Sequence, residues 1–217
     1  TESGALPRGA PLSVFSTEVS AARRRRTSMA QTALMWPFLY FADDRLSTAE
    51  LTAARLDGDL VEVGEAFMPA DAVETRELRA ASFRSIGGPE RAVTHASAAW
   101  VHGAIPDPPL IHTLQRAGRR RAAFPVDARI RFRDVALPAG DVELISGVAV
   151  TTPVRTLVDL VRDAVVGGSP RHLVDDMLAW RPDLLADAVI WIDAAGPIHH
   201  KRAAAAELRR RQEDVTR

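Results

Sequence analysis

From residue 1 to residue 28 the chain has no apolar period, and Pro7, Pro11 and several Ser and Thr residues interrupt it. A flexible arm is expected there. Arg23, Arg24, Arg25 and Arg26 then precede an apolar stretch from Ala33 to Ala42. That order imitates a secretion signal, but Pro37 interrupts the stretch and Asp43-Asp44-Arg45 follows it instead of a small-residue cleavage site. It is also far short of the roughly 20 residues that span a bilayer. The pattern predicts a packed N-terminal segment and no membrane partner.

Beyond it the polar positions begin to mark helix ends. Ser47 followed by Glu50 is a capping-box pair, which predicts a short helix to Leu56, stopped by Asp57-Gly58. Two apolar runs, Leu60 to Val63 and Ala66 to Met68, flank Gly64-Glu65 and read as a tight hairpin, with glycine supplying the positive φ of the turn. A helix followed by such a hairpin has the shape of the wing end of a winged-helix module. Asp71 with Glu74 predicts a further capped helix running through Leu78 and Phe83 to Gly87-Gly88-Pro89. Small residues from Thr94 to Val101 predict another, ended by Gly103.

The period then shortens. Between Ile105 and Val150 the apolar runs Leu110–Leu114, Arg129–Arg133, Val142–Ile145 and Val148–Val150 are separated by Pro and Gly, as in a small β-sheet. Thr152-Pro153 opens the next helix, with Thr as N-cap and Pro in the first helical position. Two or three helices complete the chain, one from Ser169-Pro170 and one from about His199 to Glu213. The fold class expected is α+β: an arm at 1–28, a degenerate winged-helix-like domain at 29–85, and a domain at 86–217 with a small sheet and packed helices.

Composition narrows the chemistry. The 217 residues carry 28 basic and 28 acidic side chains, all but one of the basic ones arginine, and no cysteine. Thiol nucleophiles, disulfides and thiolate zinc sites are excluded, and a reducing cytoplasm fits. The one lysine, Lys201, sits in no phosphate loop and has His199 where a restriction-type nuclease places a carboxylate. No G-x-S-x-G elbow occurs, and no catalytic set or cofactor motif is found. His95 and His102 share a helix face but have no third ligand at metal spacing, so hydrogen-bonded structural histidines are expected rather than a metal site. His199-His200 give an equally weak signal.

The neutral total conceals bands of alternating sign. Residues 1–41 carry a net +3, 42–79 a net −6, 80–134 a net +5, 135–193 a net −5 and 194–217 a net +3. In the basic middle, Arg129, Arg131 and Arg133 alternate with Ile130 and Phe132, which places three guanidinium groups about 7 Å apart on one strand face. With Arg116 and Arg119, Arg120 and Arg121 they form a candidate phosphate-binding comb, to which the Arg23–Arg26 arm adds. Nucleic acid, an acidic partner protein, or a solvated face paired with the chain's own acidic bands each accounts for this comb. The hairpin is flanked by Asp57, Asp59, Glu62 and Glu65, which repel a phosphate backbone.

Three segments carry a family resemblance: Ala49 to Leu60, His95-Ala96-Ser97-Ala98-Ala99-Trp100-Val101-His102-Gly103, and Ser146 to Leu160 with its Thr152-Pro153-Val154-Arg155-Thr156-Leu157-Val158-Asp159 core. In order and spacing the region 45–165 resembles AbiEi-type antitoxins, especially their actinobacterial branch. The resemblance implies a cytoplasmic, non-enzymatic antitoxin with a winged-helix-like N-terminal domain and a C-terminal antitoxin domain. It further implies repression of its own operon and a nucleotidyltransferase-like toxin as partner. Some relatives bind their toxin and others neutralise it without stable contact. The chain departs from the family pattern in its acidic wing and abbreviated helix-turn-helix. Arg155 and Asp159, spaced i,i+4, form a pair worth a few tenths of a kcal/mol where exposed.

Overall fold

The structure, a computed structural model, describes residues 38–88, 90–118 and 127–216. Seven α-helices and two small sheets make up this part, an α+β architecture. Helix α1 (Thr48–Leu56) starts where expected: the Glu50 amide donates to Ser47 Oγ, and the Ser47 amide donates back to Glu50 Oε2 at 2.8 Å. Strands β1 (Leu60–Val63) and β2 (Ala66–Pro69) form the hairpin, registered from Leu60 opposite Pro69 to Val63 opposite Ala66. Gly64 takes φ +54° at its turn. Tyr40 bridges the outer side of β2 through reciprocal amide bonds with Phe67 of 2.8 and 2.9 Å.

Helix α2 spans Arg76–Ser82 and continues as a 3-10 turn over Phe83–Ser85. Its N-cap is Thr75, whose hydroxyl accepts from the Leu78 amide, and not the expected Asp71. The hairpin's exit claims the earlier residues: Ala70 N–H donates to Asp59 O and Ala72 N–H to Pro69 O, so a helix cannot begin there.

The larger sheet has five strands in the order β5-β4-β3-β7-β6. They are β3 (Arg91–Val93), β4 (His112–Arg116), β5 (Ile130–Arg133), β6 (Val142–Ile145) and β7 (Val148–Thr151). Strand β3, only three residues long and not anticipated from the sequence, lies at the centre, antiparallel to β4 and parallel to β7. The pairs at the margins are parallel for β4 and β5 and antiparallel for β6 and β7.

Helix α3 (His95–His102) ends at Gly103 with φ +90°, as its sequence predicts. It packs on α4 (Pro153–Ala164), which Thr152 caps and Pro153 opens. Leu157, Val158, Leu160 and Val161 of α4 are fully buried, and α5 (His172–Trp180), α6 (Leu184–Ala194) and α7 (Lys201–Thr216) pack around the same helix. On the other face of the sheet, Ala92 and Ala149 pack beneath Leu137 from the loop after β5. No helix among the described residues is long and apolar enough to cross a membrane.

Candidate functional site

Helical spacing places Arg155, Asp159 and Arg162 of α4 on one face. Arg155 Nε donates to Asp159 Oδ2 at 2.8 Å and its Nη1 donates to Asp141 Oδ2 at 2.7 Å. Arg162 Nη1 donates to the second oxygen of Asp159 at 2.6 Å, while its Nε donates to the carbonyl of His199 at 2.8 Å. Trp191 of α6 completes the network: its indole N–H donates to Asp141 Oδ1, and its ring lies beside the Arg155 guanidinium, 5.1 Å from the centroid. The i,i+4 pair expected between Arg155 and Asp159 is therefore present, but it is buried within a larger chain of charges. Burial works against the charge on Arg155, yet Asp159 and Asp141 more than offset it and hold the guanidinium pKa above its ordinary value.

A second cluster adjoins the first. Arg133, at the end of β5, grips Asp163 of α4 with both ends of its fork, at 3.2 and 2.5 Å. His95 Nε2 lies 3.6 Å from the same carboxylate, and His95 Nδ1 is 2.8 Å from Thr94 Oγ1. Thr94 Oγ1 also lies 3.3 Å from the carbonyl of Thr113. His95 is 4% exposed and holds φ +55°, a left-handed conformation that costs a bulky residue roughly 1–3 kcal/mol. Burial, helped by Arg133 and Arg162 and opposed by Asp159 and Asp163, lowers its pKa to about 4. The imidazole is neutral at pH 7.

Both clusters border one cleft of about 1040 Å³, walled by α4, α6, the loop after β5 and the 195–200 turn. Its floor carries His95, Arg133 and Asp163; its rim carries Val135, Val166 and Ile190, which are 60%, 52% and 68% exposed. Sequence reasoning passed over this site. Arg133, His95 and His199-His200 were singled out for other roles, Asp141, Trp191 and Asp163 come from separate elements, and the one pairing visible in the sequence was the Arg155 to Asp159 spacing.

Another charged group joins the hairpin to the large sheet. Glu65 lies 3.3 Å from His112 Nε2 and 2.9 Å from Arg129 Nη2. The His112 interaction, working against burial and assisted by Arg129, holds the Glu65 carboxyl below its ordinary pKa. His102 turns away from His95 and donates through Nε2 to the carbonyl of Thr151 at 2.7 Å; burial pushes its pKa down against that hydrogen bond. His199 and His200 line the cleft just before α7, with ring centroids 6.2 Å apart. Among the described residues no three His, Asp or Glu side chains gather to hold a metal ion.

Of the comb arginines, Arg116 faces Asp134 at 2.8 Å, Arg129 faces Glu65 and Arg133 faces Asp163. Arg131 is exposed. Arg23, Arg24, Arg25, Arg26, Arg119, Arg120 and Arg121 lie outside the described residues. Glu65 and Asp163 belong to the two acidic bands, so folding sets part of the comb against the chain's own carboxylates.

No curated protein matches the chain. Among solved structures it is similar to the RV2827C protein from Mycobacterium tuberculosis, with 18% sequence identity, covering 75% of this chain and 70% of that one, at a TM-score of 0.31. Residues 91–179, from β3 into α5 and including His95, Arg133, Arg155, Asp159 and Asp163, match the family model of the AbiEi antitoxin C-terminal domain, which supports an antitoxin role for the chain.

Proposed function

We propose that the protein is the antitoxin of a toxin–antitoxin operon, non-enzymatic, cytoplasmic, and counteracting a nucleotidyltransferase-like toxin while repressing its own promoter. The observation that carries this reading is the family match over 91–179, the segment holding the sheet, α4 and the floor of the cleft. For repression, the Tyr40 bridge, α1 and the hairpin supply the parts of a reduced winged-helix-like module within 29–85. Phosphate contacts fall to Arg23–Arg26, Arg116, Arg119–Arg121, Arg129, Arg131 and Arg133. Three phosphate contacts imply a fall in DNA affinity of roughly 40-fold between 50 and 200 mM salt. The test is a promoter-binding titration over that range: replacing Arg129, Arg131 and Arg133 with Ala flattens the slope, and an unchanged slope removes the comb from the DNA interface.

The ion pairs favour a second reading, direct neutralisation of the toxin without sequence-specific DNA recognition. Arg116, Arg129 and Arg133 each already face a carboxylate of the chain, and the hairpin that would approach phosphates is acidic. Co-purification with the toxin that survives high salt, together with no promoter shift by the isolated protein, selects this reading. A specific promoter shift selects repression.

A further inference from the structure

The hairpin and the arginine comb meet at Glu65. Gly64, which precedes it in the turn, packs so closely that a Cβ there would collide with Ser82 Oγ, so the turn is seated against α2 and α3 with little room to withdraw. The Glu65 side chain is 8% exposed, with Oε1 3.3 Å from His112 Nε2 and Oε2 accepting from Arg129 Nη2 at 2.9 Å. His112 is itself enclosed, its ring edge-on to Phe83 at 4.8 Å. Arg129 is the outer member of the group: its side chain is 60% exposed, and the Asp127 carboxylate approaches its Nε at 3.8 Å.

An arginine paired in this way is poorly available to phosphate, for two reasons. The pair carries no net charge, so a phosphate laid against Arg129 releases few counterions, and that release is what drives phosphate contacts. Drawing Arg129 outward also leaves an enclosed carboxylate without its guanidinium, which costs more than a new exposed pair returns. Arg131, two positions along β5, differs: it is exposed and has no ion-pair partner among the described residues. We propose that the hairpin is an autoinhibitory element of the comb, in which Glu65 occupies Arg129 as a nucleic-acid phosphate would and holds DNA affinity down. Arg129 contributes fully only when Glu65 loses its charge. This mask is a regulation of the repression reading and rests on it.

Glu65→Gln removes the masking charge at nearly constant shape. The full chain and its variants are titrated with the promoter duplex and with a shuffled duplex of the same length. One additional phosphate contact steepens the salt slope by about 0.9, so between 50 and 200 mM salt the affinity of Glu65→Gln for both duplexes should fall about 3.5-fold further than the parent's. Glu65→Gln combined with Arg129→Ala should return the slope to the parent's. Because the double variant shares any disturbance of the hairpin, that return assigns the gain to Arg129. Asp59→Asn removes an exposed carboxylate beside the same hairpin without freeing a comb arginine, and should leave the slope near the parent's. An unchanged or shallower slope in Glu65→Gln, a gain that persists in the double variant, or an equal gain in Asp59→Asn would each overturn the mask while leaving repression standing. Failure of the parent and every variant to bind either duplex would remove the repression reading, and the mask with it.

Discussion

Arg155 stands between two carboxylates that have little access to water, Asp141 and Asp159, which are 6% and 1% exposed. Removing one partner from a buried ion network leaves uncompensated charge, which costs about 3–5 kcal/mol. Arg155→Met should lower unfolding stability by that amount in denaturant titration, whereas Arg131→Ala, at an exposed position, should change it by less than about 0.5 kcal/mol. A small effect for Arg155→Met would mean that the network is solvated. His95 makes a second prediction, in pH. The unfolded chain takes up a proton near pH 6.5, whereas the folded protein resists it until about pH 4. Stability is therefore complete above pH 6.5 and declines as pH falls toward 4. His102, whose pKa is also lowered by burial, adds to the decline in the same direction. His95→Asn should flatten the stability–pH profile in this window without abolishing it, and a profile identical to the parent's would place the acid sensitivity elsewhere.

At the scale of elements, the features legible in the sequence are those settled within one turn or one hairpin. The Ser47 and Glu50 capping box, the Gly64 turn, the Gly103 stop and the Thr152-Pro153 start each depend on neighbours a few positions away, and each forms as read. Asp71 is the local start expected for the helix that became α2, and the hairpin's claim on Ala70 and Ala72 moves the cap to Thr75. Strand β3 is too short to show a period, and the cleft assembles from β5, α3, α4 and α6. Arg155 and Asp159 were visible as a spacing, but nothing local could show that Asp141 and Trp191 would bury them.

The Gly64 turn has a tertiary role as well. A Cβ there would press into Ser82 Oγ and approach the Trp100 ring to 3.2 Å, whereas a Cβ at Gly58 would meet nothing within 4 Å. Both glycines have positive φ, so Gly58→Ala should cost about 1–2 kcal/mol of backbone strain. Gly64→Ala should cost about 1–3 kcal/mol more from overpacking. Thermal melts that rank the two variants equally would mean that the hairpin shifts freely away from α2 and α3. Ser47→Ala should remove about 1 kcal/mol through the lost cap.

Across the whole molecule, the alternating charge bands meet in pairs. Arg129 reaches back to Glu65 and Arg133 forward to Asp163, while Arg211 meets Asp175. Many of the ion pairs between elements have a substantially exposed partner, so raising salt should change stability by less than about 1 kcal/mol even where it weakens nucleic-acid binding steeply. A large salt effect on unfolding would show that these pairs carry more of the fold. The position of β3 has a further consequence, for the order in which the fold can be completed. Its parallel neighbour is β7, and the Thr151 hydroxyl that bonds the Val93 carbonyl lies 58 positions along the chain. Until that stretch has been synthesised, one side of the central strand is an open edge able to pair with another chain. A fragment ending before Val148 should therefore aggregate or be degraded rather than fold as a smaller domain, and a soluble, protease-resistant fragment of that length would refute this. During translation, the nascent protein should accordingly gain protease resistance only once β7 and α4 have left the ribosome.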